Sequence, residues 1–191
     1  MAEGATSRTD APDRLAMAAE LKELRRSARE AAAILGASIS FDDYPDNRMD
    51  SVALLDVVKS VERVIVEWRP ERIYTHHSGD VNIDHRIVHH AVVTACRPTP
   101  EQSVRSLLFF EAPSSTEWQP AASGGIFAPN WFVPIVSSME RKRKALLAYA
   151  SEMREFPHPR SLAGIEHLAG WRGASAGVPA AEAFMLGRMV V

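Results

Sequence analysis

Ile73-Tyr74-Thr75-His76-His77-Ser78-Gly79-Asp80-Val81-Asn82-Ile83-Asp84-His85-Arg86 is the stretch that decides the fold. Its first three residues are β-branched or aromatic and read as a short strand. A polar cluster follows at once. From about residue 86 to Cys96 the apolar residues recur at helical spacing, and Pro98 stops the helix. The same order of strand, polar residues and helix appears elsewhere in the chain. Ile39-Ser40-Phe41 precedes the polar run 42–48 and a helix that Asp50 or Ser51 is placed to cap. Residues 104–110 read as a third strand, followed by the polar run 111–118. Alternation of this kind predicts an α/β fold: a Rossmann-like, mostly parallel sheet flanked by helices. In such sheets, sites form at the C-terminal ends of strands, where all three polar runs fall.

Working outward, Leu15, Leu21, Leu24, Ala28, Ala31, Ala32 and Leu35 predict a long first helix, with Gly36 at its C-terminal cap. Leu54, Val57, Val58, Val61, Ile65 and Trp68 form the apolar face of the next, which Arg69-Pro70 terminates. Helices are also expected around 139–153 and 162–171, before an apolar end from Ala180. With 191 residues the chain is long enough for one domain with a full core. The expected organisation is a single domain over residues 1–191, incomplete at its N-terminus for the reason given below.

Composition excludes several classes. A net charge of −2 lacks the basic surface that nucleic acid or an anionic membrane demands. No apolar run approaches the roughly 20 residues of a membrane span. The first eight residues do not have the basic start and apolar segment of a secretory signal. Cys96 is the only cysteine, so no intrachain disulfide forms and a cytoplasmic location is the default. Its apolar neighbourhood, 91–96, marks it as a buried structural thiol. The sequence leaves assembly into a homo-oligomer open.

Five of the seven histidines lie between positions 76 and 90. Neutral imidazole is a good zinc ligand, and an adjacent carboxylate fixes its tautomer. Asp84-His85 at a helix start suits that pairing. Asp80 and Asn82 add polar groups for a water or a substrate amide, and Gly79 permits a sharp turn. Solvated loop histidines are the plain alternative for any one of these residues. His89 and His90 sit one turn on, one expected inward and the other exposed.

The string T-H-H-S-G-D-V-N-I-D-H-R at 75–86 resembles the second signature of the LmbE/PIG-L deacetylases, the family of GlcNAc-phosphatidylinositol de-N-acetylase and the mycothiol-pathway deacetylase. The resemblance extends over nearly the whole chain, through A-E-G-A-T-S-R at the start, P-D-N-R at 45–48, P-S-S-T-E-W at 113–118 and F-P-H-P-R-S at 156–161. It implies zinc-assisted hydrolysis of an N-acetyl group on an amino sugar or sugar conjugate. His85 maps to a metal ligand, with Asp84 orienting it and Asn82 and His77 as further catalytic groups. Asn82 stands where many members have a histidine that stabilises the oxyanion. The family's first signature, H-P-D-D-E, supplies two more zinc ligands and the general base, and it does not occur in this sequence. The ligand set is therefore expected to be incomplete, which is why the domain is read as N-terminally truncated.

Other residues carry two readings each. Asp46 and Arg48 follow a strand and suit ligand binding, but equally a turn. Glu111 ends a strand, and Trp118 is either a ring-stacking residue or a half-buried loop tryptophan. Arg160, in the Pro157-His158-Pro159-Arg160 loop, is a candidate for substrate through the resemblance, as is Arg8; Arg25 and Arg26 are near the expected arginine but out of phase. The rival to an enzyme is a catalytically inactive remnant of the same fold that binds a sugar or nucleotide sugar. An unrelated nucleotide-binding protein is disfavoured, because neither G-x-G-x-x-G nor a P-loop occurs.

Overall fold

A computed structural model describes residues 1–2, 4, 14–122 and 125–191. Among these the order is α1 (Arg14–Leu35), α2 (Leu54–Trp68), β1 (Arg72–His76), α3 (Ile83–Ala95), β2 (Ser106–Phe110), β3 (Trp131–Pro134), α4 (Met139–Leu147), α5 (Leu162–Ser175) and β4 (Ala181–Met189). The strands lie in the order β1-β2-β4-β3. The chain divides into two compact units, Met1–Asn47 with Val133–Glu182, and Arg48–Phe132 with Ala183–Val191.

The second unit holds the histidine-rich string. β1 runs parallel to β2, with Thr75 opposite Phe109 and His76 opposite Phe110. β4 joins the other side of β2 antiparallel, with a register shift at Leu107/Leu108. The α/β class holds, but the sheet differs from the mostly parallel one expected. The apolar end of the chain returns as a nine-residue strand between β2 and β3, and only β1 and β2 form a parallel pair among the described strands. Val57, Val58 and Ile65 of α2 and Ala91, Val92 and Ala95 of α3 are buried, as are Leu107 and Leu108 of β2. Burying a Val, Leu or Ile side chain contributes roughly 1.5–3 kcal/mol, so this apolar set dominates the stability of the unit. Cys96 is also buried, and burial pushes its thiol up to about 11 despite the nearby Arg188.

Helix ends follow local chemistry, with two departures from expectation. Neither Asp50 nor Ser51 caps α2: a 3-10 turn at Met49–Ser51 comes first, and Ala53 holds the N-cap position without a side-chain bond. Arg69 ends α2 in a left-handed conformation, φ 44°, just before Pro70. α3 begins at Ile83, earlier than expected, because the Asn82 side chain accepts from the N–H groups of Asp84 and His85 at 2.8 and 3.4 Å.

In the first unit α1 packs against α4, with Ala28, Ala31 and Ala145 buried. Gly36 takes φ 72° past the end of α1, the left-handed cap that the sequence predicts. Ser161 caps α5 by accepting from Gly164 N–H at 2.9 Å. Ile39-Ser40-Phe41 is not a strand. Ile39 and Phe41 are exposed, and a single bridge between Ala2 and Tyr44 is the only pairing in this stretch among the described residues. A strand needs a neighbour for its backbone groups, and propensity alone does not supply one. No described helix is long and apolar enough to cross a membrane.

Candidate functional site

The turn between β1 and α3 gathers the polar residues of the second unit around Asp80. This carboxylate is 0% exposed. Its Oδ1 accepts from Asn82 N–H at 2.9 Å, from the Ser115 hydroxyl and from His85 Nδ1 at 3.1 Å. Its Oδ2 accepts from Thr116 Oγ1 at 2.9 Å. Burial by itself raises a carboxyl pKa; the bonds from His85, Ser115 and Asn82 outweigh it and bring Asp80 down to about 2. Asp80 is therefore ionised and fully engaged, and it does not face a ligand as the sequence suggested.

His85 lies in the first turn of α3, with its side chain 25% exposed. Asp80 holds Nδ1–H, which leaves the lone pair on Nε2. Orientation of His85 was expected from Asp84, and here the structure differs. Asp84 is buried and its Oδ1 accepts from Met49 N–H at 3.0 Å. The early start of α3 explains the exchange: consecutive helical residues point about 100° apart, so Asp84 turns toward the 3-10 turn while His85 faces Asp80. Asn82 uses its side-chain carbonyl as the helix cap, a role that the sequence did not assign to it.

His76 stacks on His85 with ring centroids 4.0 Å apart and planes 18° from parallel. Burial, together with the neighbouring His85, lowers His76 to about 3, so this stack joins a neutral ring to His85 at ordinary pH. His89 is buried and donates Nδ1–H to the His76 carbonyl at 2.8 Å, while His90 is exposed, the division that the sequence predicts. His77, a catalytic candidate from sequence, is 3% exposed and donates Nε2–H to the Gly125 carbonyl at 2.9 Å, with Phe127 edge-on to its ring. Gly79 makes this possible. A Cβ there would overlap the Gly125 carbonyl and lie 2.8 Å from His77 Nε2.

The polar runs thus meet in part. The 111–118 run reaches Asp80 through Ser115 and Thr116, and the loop at Arg48 reaches Asp84 through Met49. Arg48 itself is exposed, and Glu111 is half-buried at the end of β2. Asp46 and Arg160 belong to the first unit. There Asp46 sits in a turn, and Arg160 pairs with Glu152 at 3.5 Å and donates its N–H to His158 Nδ1 at 3.0 Å. Arg8 lies outside the described residues. Sequence reasoning missed Ser115 and Thr116 as partners of Asp80, and His76 as the ring against His85. Their one signal was position, directly after or at the end of strands.

Zinc is implied by the resemblance, and the donor set tests it. Catalytic zinc takes three protein ligands. Among the described residues no group of three or more His, Cys, Asp or Glu side chains is placed to hold a metal ion. His85 offers one nitrogen, Asp80 is spent on hydrogen bonds, and H-P-D-D-E is absent from the sequence. These residues do not by themselves fit a zinc site.

Comparison with known proteins gives a consistent picture of the fold. Residues 1–96 match the PIG-L family, described as GlcNAc-PI de-N-acetylase. The search of curated proteins found no match. Among solved structures, the 4-carboxy-2-hydroxymuconate hydratase GalB of Pseudomonas putida superposes with a TM-score of 0.75 at 23% identity, covering 97% of this chain and 78% of that one. The N,N'-diacetylchitobiose deacetylase of Pyrococcus horikoshii gives a TM-score of 0.72 at 18% identity, over 98% and 71%. A conserved protein of Thermus thermophilus gives 0.68 at 21% identity, over 89% and 75%.

Proposed function

Because the chain belongs to the PIG-L family of GlcNAc-PI de-N-acetylases, we propose that it serves hydrolysis of the N-acetyl group of an N-acetylated amino sugar or sugar conjugate. Water adds to the acetamide carbonyl, the C–N bond breaks, and acetate and a free amine leave. The observation that carries this reading is the Asp80–His85 pair at the C-terminal end of β1. Asp80 fixes the tautomer, so Nε2 presents its lone pair from a partly exposed ring. That atom can take a proton from the attacking water and return it to the departing amine. A similar fold in a diacetylchitobiose deacetylase supports the choice of a small N-acetylated sugar. A cytoplasmic location and a soluble small-molecule substrate belong to the same proposal.

Zinc is the family's expected metal, and it would bind at His85 Nε2 in this chain; a metal there would occupy the lone pair, so His85 serves as the base only where no metal is bound. Since the described residues supply no further ligand, no step is assigned to it. The incomplete set favours a second reading specifically: a remnant of the fold that binds the sugar without cleaving it. One experiment separates the two. The purified chain is incubated with N-acetylglucosamine derivatives, acetate release is followed, and zinc content is measured in parallel. Acetate release that His85→Ala abolishes supports hydrolysis. Saturable sugar binding with no acetate supports the remnant, and zinc at one equivalent would show that residues beyond the described group complete the metal site.

A further inference from the structure

We propose that Trp118 is the face on which this site stacks the pyranose ring of its ligand, an assignment that rests on the amino-sugar reading above. The residue lies on the turn 112–119 that follows β2, and that turn is bonded throughout. Ser115 and Thr116 N–H donate to the Ala112 carbonyl at 3.1 and 2.9 Å, and Gln119 N–H to the Thr116 carbonyl at 3.3 Å. Ala112 N–H donates to Thr116 Oγ1 at 2.8 Å, and Ser114 and Ser115 N–H to the Glu117 carboxylate at 2.6 and 3.3 Å. Ser114 takes φ 66°, a left-handed conformation that a residue with a Cβ keeps only where its surroundings over-determine it.

This rigid turn is fastened to the centre of the site by Ser115 and Thr116 on Asp80. Trp118 follows two residues later, and two residues of chain span at most about 7 Å. The Trp118 backbone is thereby tied close to Thr116, which is itself bonded to Asp80, and the residue is 54% exposed. Leaving so large an aromatic surface in water forgoes the burial that dominates aromatic energetics. Presenting it on a turn that is already ordered lowers the entropic cost of binding a flat-faced ligand. The C–H face of a pyranose is apolar and suits an indole, while its hydroxyl edge suits the polar turn around it. Trp68 and Trp171 are as exposed, at 61% and 67%, but they ride on α2 and α5 and serve as internal controls.

The test titrates the chain with the methyl glycoside of N-acetylglucosamine. The indole N–H resonances are followed, with assignment by Trp118→Phe and Trp171→Phe. The Trp118 resonance is expected to shift saturably while that of Trp171 does not. Trp118→Ala should weaken binding about tenfold and Trp118→Phe less, since phenyl keeps part of the stacking surface. Saturable binding that Trp118→Ala leaves unchanged overturns the assignment alone. No saturable binding by the unsubstituted chain overturns both the assignment and the amino-sugar reading, whereas binding without acetate release overturns only hydrolysis. If Trp118→Ala does not fold, as judged by circular dichroism, the indole shift and the Phe variant decide.

Discussion

His85 Nδ1 lies 3.1 Å from Oδ1 of Asp80, a carboxylate wholly removed from solvent. The contact joins the strand-end turn to the first turn of α3 and sets which nitrogen of His85 is available. Its consequences extend to chemistry and to stability.

Asp80→Asn should reduce acetate release by about 10–100-fold, the usual effect of removing a carboxylate that orients a functional histidine. It should also cost stability in a pH-dependent way. The folded pKa, about 2, lies below the ordinary value of 3.8. A carboxyl depressed on folding stabilises above its unfolded pKa and loses that contribution as pH falls through the folded value. The contribution is about 2 kcal/mol at neutral pH. Urea unfolding of both proteins should show a stability gap that narrows between about pH 4 and pH 2. A gap independent of pH would contradict the ionised, hydrogen-bonded state of Asp80.

His76 gives a pH dependence in another window. Its folded pKa of about 3 lies below the ordinary 6.5, so the unfolded chain binds a proton that the folded chain refuses. Stability is therefore highest above the unfolded value and declines as pH falls from about 6.5 to about 3. His76→Phe keeps a ring beside His85 and should flatten the decline over that interval. Thermal melts at several pH values check this.

Exchanging Gly79 for Ala should destabilise by about 1–3 kcal/mol, the range for forcing atoms into a filled space. The added methyl meets the Gly125 carbonyl and His77 together. Urea denaturation measures the loss. Amide exchange at residues 126–128 should rise in the same variant, because the bond from His77 to Gly125 is the one displaced.

His85 and His90, both on α3, should separate cleanly. His85→Ala is expected to remove acetate release and any bound zinc, while His90→Ala removes neither, since His90 is exposed. Metal analysis and the acetate assay on both purified variants decide the matter. Bound zinc retained equally in the two would show that His85 is not the ligand.

How much of this was legible follows from which signals are local. α1 and α2 declare themselves through apolar periodicity and through Gly36 and Arg69-Pro70 at their ends. The string 75–86 carries its polar side chains contiguously, so the place of the candidate site is readable from the sequence. Which carboxylate serves His85 was not. Asp80 and Asp84 both precede it closely in sequence, and the choice depends on the helix starting at Ile83, set by the Asn82 cap. Ser115 and Thr116 lie 35 and 36 residues from Asp80, and no local pattern announces a partnership over that distance. For the same reason Ile39-Ser40-Phe41 has the composition of a strand but not the neighbour, while β4 gains its antiparallel place from β2.

Cys96 gives the molecule a built-in reporter. Its thiol is buried, stays protonated at neutral pH and is the sole one in the sequence. Because the thiolate is the reactive form, alkylating reagents should find the native protein silent, and labelling should proceed only when the second unit opens. The rate of that single modification then counts opening events, and a cysteine introduced on the surface for a dye or spin label would react against an almost blank background.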